Sequence, residues 1–220
     1  MLSALDQQLF FFFNADRGLP LLDKAWAVLS SLDFWMPFFI LAGLLVVWRG
    51  GFRARAMLAC LLVSIAIMEG GIINPLKKTL GRHRPIDTLA EARYVKLGPA
   101  EPKILALTQP LDIRPGDPVD PPDVGKSLPS GHTSNMFCFA TIVTAFYRWR
   151  GAWLFLPAAL VALSRVATGA HWPTDVLLSA AGSIAITLLL LAAYSWLWRT
   201  FAPRLAPALA SKHPRLLPTP

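Results

Sequence analysis

Between Ser164 and Asp175 the chain reads SRVATGAHWPTD, which places His171 six residues after Arg165 and Asp175 four residues after His171. Apolar runs flank this stretch on both sides. Ionisable side chains at the lips of apolar segments are expensive in a membrane and are kept where they have work to do. Pro173 suits the first turn of a helix, so Val176 onward is expected to be helical, with His171 just before it. Asp175 then falls about one turn beyond His171, on the same side. A carboxylate so placed holds one imidazole nitrogen and leaves the other free to attack. That is the orienter-and-nucleophile logic of covalent catalysis, with histidine as the nucleophile. On this reading Asp175→Asn loses activity while folding normally. A capping aspartate and a surface histidine at a membrane interface would give the same letters, so other motifs must decide.

Two further clusters bear on the choice. Residues 77–85 read KKTLGRHRP. Lys77 and Arg84 are seven residues apart, about two helical turns, so both can point to one side. Lysine and arginine snorkelling to an interface would look alike. Residues 129–132 read PSGH and open an apolar run. Ser130 is a good N-cap, and Gly131 lets a ligand approach the backbone. Free amides at a helix start bind anions, and a phosphate fits there. His132, on that first turn, can protonate a leaving oxygen. An isolated Ser-Gly-His is an ordinary cap. Taken together, the three clusters make a phosphate site. Lys77, Arg84 and Arg165 supply positive charge, and Ser130 and the Gly131 amide supply hydrogen bonds. His171 attacks phosphorus, Asp175 orients it and His132 is the acid. Charge on the equatorial oxygens is then stabilised, as phosphoryl transfer needs. No cofactor and no metal are expected: the chain lacks H-E-x-x-H, paired Cys/His ligands and a P-loop. The aspartates of 111–123 are interrupted by prolines and lack EF-hand spacing.

K-x6-RP at 77–85, PSGH at 129–132 and SR-x5-H-x3-D at 164–175 resemble the three signature motifs of the type-2 phosphatidic-acid phosphatase superfamily. That superfamily also includes the vanadium haloperoxidases. Every signature position is filled, in order. The resemblance implies a helical bundle, a phosphohistidine intermediate on His171, the acid role for His132, and lipid phosphates or diphosphates as substrates of membrane members. Haloperoxidase function belongs to soluble members. The short N-terminal helix followed by Leu22-Asp23 is similar to the bacterial undecaprenyl-diphosphate phosphatases and their relatives. Undecaprenyl diphosphate is therefore the first expected substrate, followed by phosphatidylglycerophosphate, phosphatidic acid and lipid A phosphates. Transfer of the phosphate to an acceptor lipid is a second enzymatic reading. A transporter is a third, since Glu69 and Asn74-Pro75 fall inside an apolar run and can mark an ion path. A transporter has no use for a nucleophile, an acid and three cations together, and Glu69 more readily pairs with a basic group or packs near the site.

The elements that must position these residues follow from composition. The chain has 220 residues, 55% hydrophobic and only 15% charged, which implies a polytopic membrane protein of one domain. The expected fold is all-α: a transmembrane bundle of five spans, or six if 21–48 crosses twice, preceded by an interfacial helix at 2–13. The later spans are 56–80, 131–146, 152–170 and 176–198. Residues 1–200 form one membrane-embedded domain with 86–127 as a polar outer loop; 201–220 is a basic, Pro-rich, weakly ordered tail. Cys60 and Cys138 sit in apolar runs as core residues. No cleavable signal peptide is expected, because Asp6 comes early and the apolar cluster at 9–13 is short. The net charge is +8. The two basic turns and the tail hold Arg49, Arg53, Arg55, Arg148, Arg150, Arg199, Arg204, Lys212 and Arg215 and no acid. The loop is nearly balanced, with Arg93, Lys96, Lys103, Arg114 and Lys126 against Asp87, Glu91, Glu101, Asp112, Asp117, Asp120 and Asp123. The basic excess is therefore a topology signal, not a nucleic-acid surface. It puts the turns and tail in the cytoplasm and opens the site to the periplasm or outside of a bacterial inner membrane. The expected partners are the bilayer and a lipid phosphate in it.

Overall fold

A computed structural model describes residues 4–119 and 125–218. Leu2, Asp120, Asp123 and the last two residues of the tail lie outside the described residues. The helices are α1 (Ala4–Asn14), α2 (Pro20–Ser30), α3 (Leu32–Arg49), α4 (Phe52–Ile67), α5 (Asn74–Leu80), α6 (Gly131–Tyr147), α7 (Trp149–Ala152), α8 (Phe155–Ala167), α9 (Pro173–Leu205) and α10 (Pro207–Lys212). A π-helical turn, Met68–Ile73, joins α4 to α5. Among the described residues the fold is an all-α bundle with one two-stranded antiparallel sheet, β1 (Arg93–Lys96) and β2 (Asp112–Pro115), in the loop 86–127.

Among the described residues, four stretches are long and apolar enough to cross a membrane: Leu32–Arg49, Phe52–Asp87, Trp149–Ala167 and Pro173–Leu205. Five or six were expected. The shortfall is α6, whose 17 residues give about 26 Å of helix. It nonetheless runs through the middle of the bundle, packed on α4, α8 and α9. The 21–48 segment is two helices broken at Ser31, which is extended (φ −96°, ψ 101°). Of these, α2 has 11 residues, too few to span. Only Phe34 of α3 is buried, so that helix turns Phe38, Phe39, Ile40, Leu41, Leu44 and Leu45 outward, as a lipid-facing helix does.

One apolar core lies between α4, α6 and α9 and contains both free cysteines with Met68, Ile142, Phe146 and Leu191. Buried Ser179, Ser183 and Thr187 run down α9 at helical spacing. Ser183 Oγ donates to the Ser134 carbonyl of α6 at 2.6 Å. Small hydroxyl residues let membrane helices approach closely and bond across the interface.

Three segments carry more tertiary packing than composition alone indicates. Helix α1 exposes Leu5, Leu9 and Phe12 as an interfacial helix should, but its Asp6–Phe10–Asn14 face is buried in protein. The loop 86–127 is folded: Val95, Leu97 and Ala106 form a small core with Ala27 of α2 and Phe34 of α3. The tail is packed rather than weakly ordered. The α9 helix continues to Leu205, and the chain then folds back so that the His213 ring stacks on Phe52 at 4.1 Å and Leu216 enters the core. The apolar residues scattered among the tail's prolines are what it buries.

Candidate active site

The last turn of α8 and the start of α9 build the nucleophile's seat. The amides of Ala170 and His171 both donate to the Arg165 carbonyl, at 3.0 and 3.1 Å, and so fold the chain back after the helix. Gly169 has φ +81°, and a Cβ there would collide with the Arg93 carbonyl oxygen, so both backbone hand and space require glycine. The loop reinforces this turn. Val95 N donates to the Thr168 carbonyl at 3.2 Å. Asn14 of α1 donates to the carbonyls of Arg93 and Ala167, both at 2.8 Å.

His171 is 2% exposed. Its Nδ1 lies 2.6 Å from the backbone carbonyl oxygen of Ser127. A carbonyl only accepts, so Nδ1 carries the proton and Nε2 keeps its lone pair. Asp175 is not the partner expected from the spacing. It is fully buried and accepts from Arg82 Nη1 (2.5 Å), Ser127 Oγ (2.5 Å) and the Trp172 amide (3.1 Å). The one-turn argument assumed helical backbone from His171 onward. Trp172 is extended (φ −75°, ψ 153°), and Asp175 turns back to cap the start of α9. Asp175 therefore reaches the imidazole through Ser127, whose hydroxyl it binds and whose carbonyl holds Nδ1.

The charges of three cations act on His171. Burial, then Arg165 and Arg84, and in lesser part Lys77, push its pKa well below the ordinary 6.5 against the raising effect of the Ser127 carbonyl. The imidazole is neutral at neutral pH. Arg165, Lys77 and Arg84 also act on His132, half-buried on the first turn of α6. Arg165 Nη1 is held by the carbonyl of Ser30, at 3.0 Å, and by its hydroxyl. The Nε groups of Arg84 and Arg165 are buried with no hydrogen-bond partner among the described residues. A buried donor left unmade costs free energy, so two guanidinium N–H groups beside a neutral imidazole await an acceptor.

The start of α6 differs in detail from expectation. Ser130 stands at the N-cap, but its hydroxyl makes no cap bond; it accepts from Thr133 Oγ1 at 3.0 Å. The Ser130 amide is taken by Ser179 Oγ at 2.8 Å. The ladder begins with Ser134 N to the Ser130 carbonyl, so the amides of Gly131, His132 and Thr133 precede it and are the ones open to an anion. Glu69, on the π-turn, approaches Gly131: a Cβ there would lie 3.2 Å from Glu69 Oε1. Its Oε1 accepts from Asn135 Nδ2 at 2.8 Å, and its charge acts on Lys77. Glu69 thus lies beside the site. π-turns within helices recur at functional sites.

Arg82, Ser127, Asp6 and Trp172 were not read as site residues. Arg82 lies inside K-x6-RP and Ser127 two residues before PSGH, so nearness to a motif was the available signal. For Asp6 the signal was helical spacing, which puts it on one face of α1 with Phe10 and Asn14, four and eight positions on.

With this geometry in hand, comparison with known proteins identifies the scaffold. The crystal structure of LpxE from Aquifex aeolicus superposes on 87% of this chain and 99% of its own, with a TM-score of 0.58 at 23% identity, and so shares the fold. YbjG of Escherichia coli (strain K12), named as an undecaprenyl-diphosphatase, is 42% identical over 52 residues, 23% of this chain. The lipid A 1-phosphatase of Porphyromonas gingivalis is 27% identical over 145 residues, 62% of this chain. The matches span only 26% and 24% of those two relatives' own lengths. The family model of the PAP2 superfamily matches residues 56–199, from the start of the second long apolar helix nearly to the end of the last and across all three motifs. The chain has the apolar helices of a multi-pass membrane protein and belongs to the PAP2 superfamily.

Proposed function

We propose that the protein hydrolyses the terminal phosphate of a lipid phosphate or diphosphate through a phosphohistidine on His171. The Nε2 lone pair forms the N–P bond as the P–O bond to the leaving group breaks, and His132 gives its proton to the departing oxygen. A water molecule then attacks phosphorus, His132 takes its proton, the N–P bond breaks and inorganic phosphate leaves. Lys77, Arg84, Arg165 and the first amides of α6 hold the phosphoryl oxygens. The observation that carries this reading is a buried, neutral imidazole with Nδ1 held by Ser127, facing three cations of which two keep a guanidinium N–H unpaired. Cation work is assigned to side chains, and the reaction is read as metal-independent.

Undecaprenyl diphosphate is the substrate we favour, supported by the identity with YbjG. Lipid A phosphate is the second reading, supported by the longer alignment to the Porphyromonas protein. Phosphatidylglycerophosphate and phosphatidic acid follow. Residues 1–200 act as one membrane-embedded phosphatase domain of a bacterial inner membrane, with 86–127 and the site facing the periplasm and 201–220 in the cytoplasm. The test is release of inorganic phosphate by purified protein in detergent from each of these lipids. The expected result is the highest kcat/KM on undecaprenyl diphosphate. Consumption of substrate without free phosphate would instead identify a phosphotransferase, and inertness toward all four would contradict the reading.

A further inference from the structure

We propose that Asp6 and Arg82 are positioning residues for phosphoryl transfer, acting on His171 through Asp175 and Ser127; this rests on the phosphohistidine reading above. The guanidinium of Arg82 forks between two buried carboxylates. Its Nη2 lies 2.6 Å from Asp6 Oδ2 and its Nη1 lies 2.5 Å from Asp175 Oδ1. Both carboxylates grip the first turn of α9. Asp6 accepts from the Thr174 amide (3.0 Å) and hydroxyl (2.7 Å), and Asp175 from the Trp172 amide (3.1 Å).

Arg82 also holds Ser127 from the other side, because its carbonyl accepts the Ser127 amide at 2.8 Å. A closed ring results: Arg82 backbone to Ser127 amide, Ser127 hydroxyl to Asp175, Asp175 to the Arg82 side chain. The one group this ring presents to the nucleophile is the Ser127 carbonyl, 2.6 Å from His171 Nδ1. The strands of the ring cross tightly: a Cβ on Gly125 would collide with the Arg82 backbone. Helix α1 braces the ring through Asp6, and its Phe10 packs on Trp172 with ring centroids 5.3 Å apart. The charged groups of the brace are engaged with one another and with the first turn of α9, so its effect is on the direction of the Nε2 lone pair. A misplacement of about 1 Å in an attacking group costs about a hundredfold in rate.

The test uses the full chain in detergent, with Asp6→Asn, Arg82→Lys and the double variant. The expected outcome is a fall in kcat of about tenfold to a hundredfold with KM within about twofold of wild type. The inhibition constant of vanadate, a transition-state mimic, should rise by the same factor, while that of inorganic phosphate stays put. The double variant should be no worse than Arg82→Lys, since both act through one ring. A kcat within twofold of wild type in both single variants overturns the proposal. So does a parallel rise of the vanadate and phosphate constants, which would mark lost binding. If Asp6→Asn does not fold, Arg82→Lys decides; if neither folds, the pair is structural and the proposal is wrong. A wild-type chain with no turnover on any lipid phosphate overturns the parent reading, and this inference with it. That failure is distinguishable because it precedes any substitution.

Discussion

Asp175→Asn removes one charge and one acceptor where three donors converge. Arg82 Nη1 and Ser127 Oγ each lie 2.5 Å from the carboxylate and the Trp172 amide 3.1 Å. An ionised carboxylate accepts all three. Asparagine has a single acceptor oxygen, and its amide nitrogen must face either the guanidinium or the Ser127 and Trp172 donors, donor against donor. Losing one partner of a buried ion pair costs about 3–5 kcal/mol. The Arg82 side chain is 24% exposed and keeps Asp6, so the lower end applies, about 3 kcal/mol. Ser127→Ala removes one donor of three and keeps the carbonyl that holds His171, and is expected to cost about 1.5 kcal/mol. Reversible unfolding in mixed micelles of rising SDS content measures both. The expected order is wild type, then Ser127→Ala, then Asp175→Asn, with the last shifting the unfolding equilibrium by about a hundredfold. The spacing of His171 and Asp175 alone implied normal folding for Asp175→Asn. Stability within about 0.5 kcal/mol of wild type would restore that view and refute the buried network.

Other outcomes follow from the same geometry. His171 is active when neutral and its folded pKa lies well below 6.5, so kcat/KM should show no acid limb near pH 6.5; a limb there, independent of substrate ionisation, would mean an exposed imidazole. The sign for stability is the same: the unfolded chain takes up the His171 proton first, so this contribution is present above about pH 6.5 and is lost as pH falls below it. Excess EDTA should leave turnover unchanged and vanadate should inhibit; activity lost to the chelator and restored by magnesium would contradict the assignment of charge to Lys77, Arg84 and Arg165. Fused after the C-terminus, a periplasm-dependent alkaline phosphatase should stay inactive and a green fluorescent protein should glow; the reverse would put the site in the cytoplasm.

What the sequence disclosed and what it hid divide by range of interaction. The helices α4 and α9 announce themselves by long apolar runs, and Gly81 after α5 and Pro173 at the first turn of α9 mark helix ends. The motif residues Lys77, Arg84, His132, Arg165 and His171 could be grouped because each lies at a span end, and the charges of Lys77, Arg84 and Arg165 act on both His171 and His132. The failures are places where a long-range partner overrides a local rule. The Asp175 carboxylate obeys Arg82 and Ser127, at sequence separations of 93 and 48, rather than the histidine four residues away. The contacts of Asp6 lie 76 and 168 residues off. The packing of the polar loop 86–127 could not be read locally because its small core is shared with α2 and α3. The tail's proline content hid Leu216, which enters the core, and the His213 ring, which stacks on Phe52.

The central claim is a covalent bond between phosphorus and His171 Nε2. The direct measurement is rapid quench of the purified protein with substrate carrying labelled terminal phosphate, followed by peptide mass spectrometry under conditions that preserve acid-labile phosphohistidine. His132→Ala, slowed in the water-attack step by loss of its base, should accumulate the adduct when given a substrate with a good leaving group. The expected result is one labelled peptide spanning His171, with the phosphate on that residue and none in His171→Ala. Label on any other side chain, or full turnover by His171→Ala with no adduct, would contradict the account.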